Sequence, residues 1–176
     1  MKNIIIKTAI CGIVCLLSLF TLVSCNSSPQ SGAGELVENY QSIDELIQDS
    51  PIIVVGTVDS PNEEFVYGEA TFALTRFKVE QVIRGIVPDE INILQTKMNE
   101  DPFLKNGDKM VLFLVKYEGP VTKNAYRTKG LYQGQYKIVG NAAIKNENNN
   151  LAGDEFLQSL DILISRINTV GYHPKT

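Results

Sequence analysis

The chain has 176 residues, 20 acidic against 16 basic, for a formal net charge of −4, with one histidine and no tryptophan. An acidic balance is repelled by nucleic-acid phosphate and by anionic headgroups, which argues against classes that hold either by charge. The length suits one domain with its own core, and the three cysteines, Cys11, Cys15 and Cys25, precede 151 residues that contain none, so that long remainder forms no disulfide of its own.

Lys2 and Lys7 open the chain, and the 17 residues from Thr8 to Ser24 are apolar or small, with Leu16, Leu17, Leu19 and Phe20 at their centre. That is the pattern of an export signal. The run also touches the lower limit for a membrane-spanning helix, so an uncleaved signal anchor is the competing reading. Leu22-Val23-Ser24-Cys25 at its end resembles the lipobox of bacterial lipoproteins: a branched apolar residue, two small or apolar residues, then cysteine. The resemblance implies that the Cys25 thiol receives a diacylglyceryl group carrying palmitate-like chains. It also implies that residues 1–24 are cut away as a signal peptide and that Cys25 becomes the first residue of the mature protein.

Removing Lys2 and Lys7 from the 16 basic residues leaves 14 against 20 acidic ones, a net of −6, so charge would not assist membrane attachment. Lipid has to hold the protein alone, and two or more acyl chains at about 0.8 kcal/mol per buried methylene do so durably. Residues 25–41 read as the lipidated cysteine and a tether. Its Gly/Ser-type stretch from Asn26 to Gly34 averages about 17 Å end to end. The Ile-rich leader points to the outer face of a Gram-positive plasma membrane.

The folded part is expected over residues 42–171, with 172–176 as a tail. Ser42-Ile43-Asp44-Glu45 has the spacing of a capping box and predicts a short helix from Ile43 to Asp49. Ile52-Ile53-Val54-Val55 reads as a strand buried on both faces, with Gly56 marking a bulge or tight bend. From Thr71 to Ile83 the apolar parity slips near Thr75-Arg76, which predicts a β-bulge there. Glu90 to Leu94 is a short strand, and Met110 to Val115 a central one entered by a turn at Asn106-Gly107.

Even positions from Tyr132 to Ile144 are apolar or small, and predict one long strand with a wet face. Asn146 to Asn150, interrupted by Glu147, reads as a loop. Phe156, Leu160, Leu163, Ile167 and Val170, widened by Leu157 and Ile164, form the stripe of an amphipathic helix from about Asp154 to Gly171. Five to six strands with glycine-marked bends and a terminal helix predict a mainly β fold, a small OB-like Greek-key barrel. A two-sheet sandwich is the alternative.

V-V-G-T-V (54–58), F-K-V-E-Q-V-I-R-G (77–85), L-K-N-G-D-K-M-V-L-F-L (104–114) and Y-Q-G-Q-Y-K-I (132–138) resemble the ordered motifs of a group of small exported bacterial proteins. The architecture that this resemblance implies is similar to netrin-like and metalloproteinase-inhibitor OB-folds. The inhibitors chelate a target's zinc through a free N-terminal cysteine amine. Cys25 is acylated and tethered in this reading and the family's disulfides are missing, so that mechanism is not carried over. These motifs are mostly core and turn residues and bear on fold, not function.

No catalytic arrangement emerges from the residue types. The histidine, His173, lies beyond the last helix, where a triad base is not expected, and neither zinc-ligand spacing nor a phosphate loop is present. Glu100, Asp101 and Asp108, with Asn99 and Asn106, offer hard oxygens without calcium-loop spacing and read as a solvated loop. Asp59, Glu63, Glu64 and Glu69 read likewise. No metal or cofactor is expected.

Tyr117, Tyr126, Tyr132 and Tyr136 with Arg127, Lys129 and Lys137 make the best surface candidate, because barrel loops bind ligands through aromatics flanked by polar groups. Tyr132 and Tyr136 share the parity of a core face. Tyr126 and Arg127, with Lys129, are therefore expected as the exposed binding surface. The favoured function is a membrane-anchored, non-enzymatic binding module with an envelope or extracellular protein partner. The alternatives are an envelope hydrolase using carboxylates such as Glu100 or Asp108, and a structural or stress lipoprotein.

Overall fold

A computed structural model describes residues 38–97, 104–146, 148–151 and 159–174. Their order is helix α1 (Ile43–Asp49), strands β1 (Ile52–Val58), β2 (Glu63–Tyr67), β3 (Ala70–Arg84), β4 (Glu90–Thr96), β5 (Lys109–Lys116) and β6 (Ala125–Thr128), a 3-10 turn (Leu131–Gly134), β7 (Gln135–Val139), β8 (Ala142–Lys145) and helix α2 (Leu160–Thr169). Neighbouring strands run β1-β3-β4-β6-β5, and β5 pairs back to β1. That closure makes a five-strand barrel and removes the sandwich alternative. Every pair is antiparallel except β4 with β6, which are parallel. With only the barrel strands counted, the order is 1-2-3-5-4-1, the OB-type Greek key. β2 is a hairpin arm on β3, and β7 and β8 extend from β5. Among the described residues no helix is long and apolar enough to cross a membrane.

β1 and β5 are buried on both faces, which explains their unbroken apolar runs. Val54, Val58, Met110, Leu112 and Leu114 fill the barrel with Phe77, Ile91 and Ile93. Ile53, Val55, Val111 and Phe113 point the other way, into a layer formed by Ile43, Leu46 and Ile47 of α1 and Leu163 and Ile167 of α2. Tyr136 and Ile138 join that layer, the Tyr136 ring meeting Phe113 edge-on at 5.7 Å.

The parity slip in β3 has another cause than the bulge expected at Thr75-Arg76. Pairing of β3 with β4 is continuous from Phe72↔Thr96 to Lys78↔Glu90. Instead both faces are buried in turn: Ala73, Thr75 and Phe77 share one parity, while Phe72 and Leu74 face a separate cluster with Phe65, Leu94, Tyr117 and Val121. The bulges lie further on, where pairing with β1 skips Glu80 and Ile83. Gly56 is opposite the first of them. A Cβ at Gly56 would collide with the Lys78 carbonyl and lie 2.6 Å from the Phe77 ring, so the two strands approach only because it is glycine.

The single strand expected over 132–144 is a 3-10 turn followed by a hairpin. Gly140, at φ +61, and Asn141 reverse the chain and invert the parity, so that Ala143 is buried and Ile144 exposed. Helix α2 begins at Leu160, after an extended Ser159, later than the expected start near Asp154. Asp154, Phe156 and Leu157 lie outside the described residues.

At α1 the Ser42 hydroxyl accepts the Glu45 N–H at 3.3 Å, as the capping box requires, while the Glu45 carboxylate accepts from Gln41 at 3.1 Å, one residue before the cap. The carboxyl ends of both helices meet at Arg84. Its guanidinium donates to the carbonyls of Ile47, Ser50 (3.4 Å), Ile167 (2.8 Å) and Val170 (2.5 Å). One cation thereby satisfies orphan carbonyls at two helix ends, where the peptide dipoles place negative charge. Burial pulls the Arg84 pKa down.

Candidate functional site

The candidate residues Tyr126, Arg127 and Lys129 sit on a broken strand. β6 and β7 pair with the same edge of β5, through Thr128↔Leu114 and Gln135↔Leu112, and residues 129–134 loop out between them. The Lys129 N–H returns to the Phe113 carbonyl at 2.9 Å. Gly130 and Leu131 then take left-handed φ values of 58° and 52°, a conformation that glycine supplies without strain and leucine does not. At Gly134 a Cβ would lie 2.5 Å from the Lys129 carbonyl oxygen, so the turn closes only on glycine.

The expected exposed surface does not form. Tyr126 belongs to β6 and packs against the barrel interior, since its partner Ile93 faces inward. Arg127, next along the strand, is half-buried, and Lys129 is buried with its side chain 7 % exposed. Tyr132 lies in the 3-10 turn and not on the core face that the parity implied.

Four residues outside the expected set complete the arrangement. The Lys129 ammonium lies 2.7 Å from Glu38 and 2.9 Å from Asp49, with the Tyr40 ring centre at 6.0 Å. Arg127 reaches the same Glu38 oxygen at 3.5 Å. The Tyr40 hydroxyl is 2.6 Å from Asp49 and 2.9 Å from Glu38. Burial, then the Asp49 and Glu38 carboxylates, raise the Tyr40 pKa far above the usual phenol range. Burial pushes Glu38 up, but the hydrogen bond and charge of Lys129, helped by Tyr40 and Arg127, outweigh it and leave Glu38 below its ordinary value.

Gln133, the fourth, ties chain segments together. Its carbonyl accepts the Tyr40 N–H at 2.9 Å, and the two protons of its amide nitrogen are shared among three oxygens, the Tyr40 carbonyl (2.9 Å) and the side chains of Asn39 (3.0 Å) and Asn150 (2.9 Å). Residues 38–41, expected as tether, are thus part of the folded domain.

Two sequence signals bear on these residues. Asp49 stands in the last turn of α1, where a carboxylate opposes the helix dipole and calls for a cation. The Y-Q-G motif at 132–134 contains the buried glutamine and the glycine that the turn requires.

The other candidates are accounted for separately. Asp108 pairs with Lys137 at 2.7 Å. Asn99, Glu100 and Asp101 lie outside the described residues, as do Cys25 and the rest of the lipobox. His173 is exposed, and its N–H donates to the Gln48 carbonyl at 2.8 Å. Among the described residues no group of three or more His, Cys, Asp or Glu side chains is arranged to hold a metal ion. Chemically, the Lys129 cluster presents two cations and a hydroxyl to two carboxylates. Comparison with known protein families and with curated proteins yields no match.

Proposed function

We propose that this chain is a bacterial lipoprotein, held outside the cytoplasm by a diacylated Cys25, whose OB-type barrel serves as a binding module and not as an enzyme. One observation carries the reading: Leu22-Val23-Ser24-Cys25 closes a basic-then-apolar leader, and no cysteine follows it. A lone thiol at that point, leading into a Gly/Ser-type tether, has acylation as its role, and two or more acyl chains attach a protein durably. The barrel then stays within reach of the outer membrane face, where it meets an envelope or extracellular protein. The acidic balance disfavours nucleic acid as a partner.

Intact mass of the protein extracted from membranes, wild type beside Cys25→Ala, tests the anchor. A chain starting at Cys25 plus a diacylglyceryl group, lost in the variant, supports it. Retention of residues 1–24 in both would replace it with a signal anchor. Crosslinking in intact membranes tests the binding module: a specific envelope protein supports it, whereas turnover of an envelope substrate with no captured partner counts against it.

A further inference from the structure

We propose that the end of the barrel carrying Ile86 and Tyr172 is a membrane-contact surface, through which the domain rests on the bilayer that holds its lipid anchor. The inference rests on the lipid-anchor reading above and adds an orientation to it. Its basis is where the described chain begins. Residues 48–51 gather four segments at one place. The Gln48 carbonyl accepts the His173 N–H at 2.8 Å, which keeps Tyr172 beside the last turn of α1. The Tyr40 hydroxyl lies 2.6 Å from Asp49 and 2.9 Å from Glu38, the first described residue. The Ser50 carbonyl accepts from Arg84 at 3.4 Å, and the Pro51 carbonyl oxygen lies 2.7 Å from where a Gly85 Cβ would stand. Glu38, Ile86 and Tyr172 therefore lie at the same end of the domain.

Two features of that end fit lipid. Ile86 is 94 % exposed, more than any other large apolar side chain among the described residues, and Tyr172 is 46 % exposed. Val87 packs against the barrel interior, so the loop is held from inside while Ile86 stays outside. Both side chains stand in stretches without formal charge, Gly85-Ile86-Val87-Pro88 and Val170-Gly171-Tyr172-His173-Pro174. An aliphatic side chain gains by leaving water, and a tyrosine suits the interface, its ring toward the acyl chains and its hydroxyl among headgroups.

Charge and tether length select this orientation over its reverse. β3 runs from the β2–β3 turn to Arg84, so the β2 arm lies at the far end of the longest strand. That arm exposes Glu63, Glu64 and Glu69, with Lys97 on Glu64 at 3.4 Å, and anionic headgroups repel it. In the lipid-anchor reading the 12 residues from Asn26 to Val37 join Cys25 to Glu38. A flexible chain of that length averages about 19 Å and keeps the Glu38 end near the bilayer. At the high local concentration of a short linker, a contact by two side chains suffices. The β2 arm is left facing away from the membrane, toward a partner.

The chain has no tryptophan, so Ile86→Trp, Tyr172→Trp and Val66→Trp each carry a single reporter. Val66, 71 % exposed on β2, marks the far end. Full-length protein extracted from membranes is reconstituted into vesicles of equal parts phosphatidylglycerol and phosphatidylcholine, with acyl chains brominated or unbrominated. Bromine quenches indole emission on contact. Ile86→Trp and Tyr172→Trp should lose emission in brominated vesicles, and Val66→Trp should keep it. Because indole itself seeks the interface, Ile86→Asp is added to Tyr172→Trp, and quenching should fall to the level of Val66→Trp. Should that variant melt early, Ile86→Ser carries the same comparison.

Equal quenching of Ile86→Trp and Val66→Trp, no quenching of either, or Tyr172→Trp quenching that survives Ile86→Asp overturns the contact. Intact mass of the same samples separates this from the anchor. A diacylated chain without quenching of Ile86→Trp overturns the contact and leaves the anchor standing. A chain retaining residues 1–24 with that quenching upholds the contact and removes the acyl anchor.

Discussion

Lys129 of the broken strand and Asp49 at the end of α1 form a 2.9 Å ion pair with side chains 7 % and 9 % exposed, so a helix end and a barrel strand are joined through a desolvated charge. Breaking one side of such a pair takes a counter-ion from a buried charge, which costs about 3–5 kcal/mol. Lys129→Met should therefore lower the denaturation free energy by that order at pH 7. Asp49→Asn should cost less, because Glu38 remains within 2.7 Å of the ammonium. Urea titration of both variants checks the order, and a larger loss for Asp49→Asn would contradict it.

Acid should weaken the domain in a defined direction. Glu38, Asp44 and Glu80 have folded pKa values below their ordinary 4.5, 3.8 and 4.5. At Asp44 the cause is the Arg166 hydrogen bond, opposed by burial; at Glu80 it is the hydrogen bonds of Lys109 and Thr57. A depressed carboxyl group contributes stability that is complete above its unfolded pKa and is lost as pH falls through the folded one. Melting temperature should thus hold near neutrality and decline once pH drops below the ordinary carboxylate range. Arg166→Gln, which removes bonds of 2.6 and 2.8 Å to Asp44, should flatten the lower part of that decline. An unchanged profile would show that Asp44 contributes nothing.

Arg84 should bind the two helices into one cooperative unit. Arg84→Met leaves carbonyls at Ile47, Ser50, Ile167 and Val170 without their cation, and the expected loss is about 2–4 kcal/mol. Arg84→Lys should recover only part, since an ammonium lacks the planar fork that reaches both helices. Hydrogen exchange makes the sharper check: amides of α1 and α2 should lose protection together while β1 and β5 keep theirs. Loss confined to one helix would refute the shared clamp.

The barrel was legible because its signals are periodic or local. The Ser42 cap, the β-branched run of β1 and the Asn106-Gly107 turn each act over a few residues, and the structure places them where the pattern predicts. The parity slip at Thr75 was also real, but one strand covered on both sides leaves the same trace as a bulge. The 132–144 alternation hid a turn because glycine at 134 and 140 fits an even-position apolar pattern as readily as a bend. The cluster around Lys129 was half legible: Arg127 and Lys129 drew attention as cations beside tyrosines, yet Glu38 lies 91 residues from Lys129 in sequence. No local pattern reports a pairing set by barrel closure.

The looped-out segment between β6 and β7 should depend on its glycines more than the exposed turns do. Gly134 has no space for a side chain, with the Lys129 carbonyl oxygen 2.5 Å and the Phe113 carbonyl oxygen 3.1 Å from a Cβ. Gly130 combines a φ of +58 with a Cβ position 2.9 Å from the Tyr40 ring. Gly68 in the β2–β3 turn also has positive φ, at +62, but nothing lies within 4 Å of a Cβ there. Alanine at Gly68 therefore carries conformational strain alone, about 1 kcal/mol, whereas alanine at Gly134 must displace backbone oxygens and should cost more than about 2 kcal/mol. Gly134→Ala should also shift Lys129 away from Glu38 and Asp49, so its loss should be smaller when introduced into Lys129→Met. A double-variant cycle measures that coupling; strict additivity would mean that the turn and the ion cluster are independent.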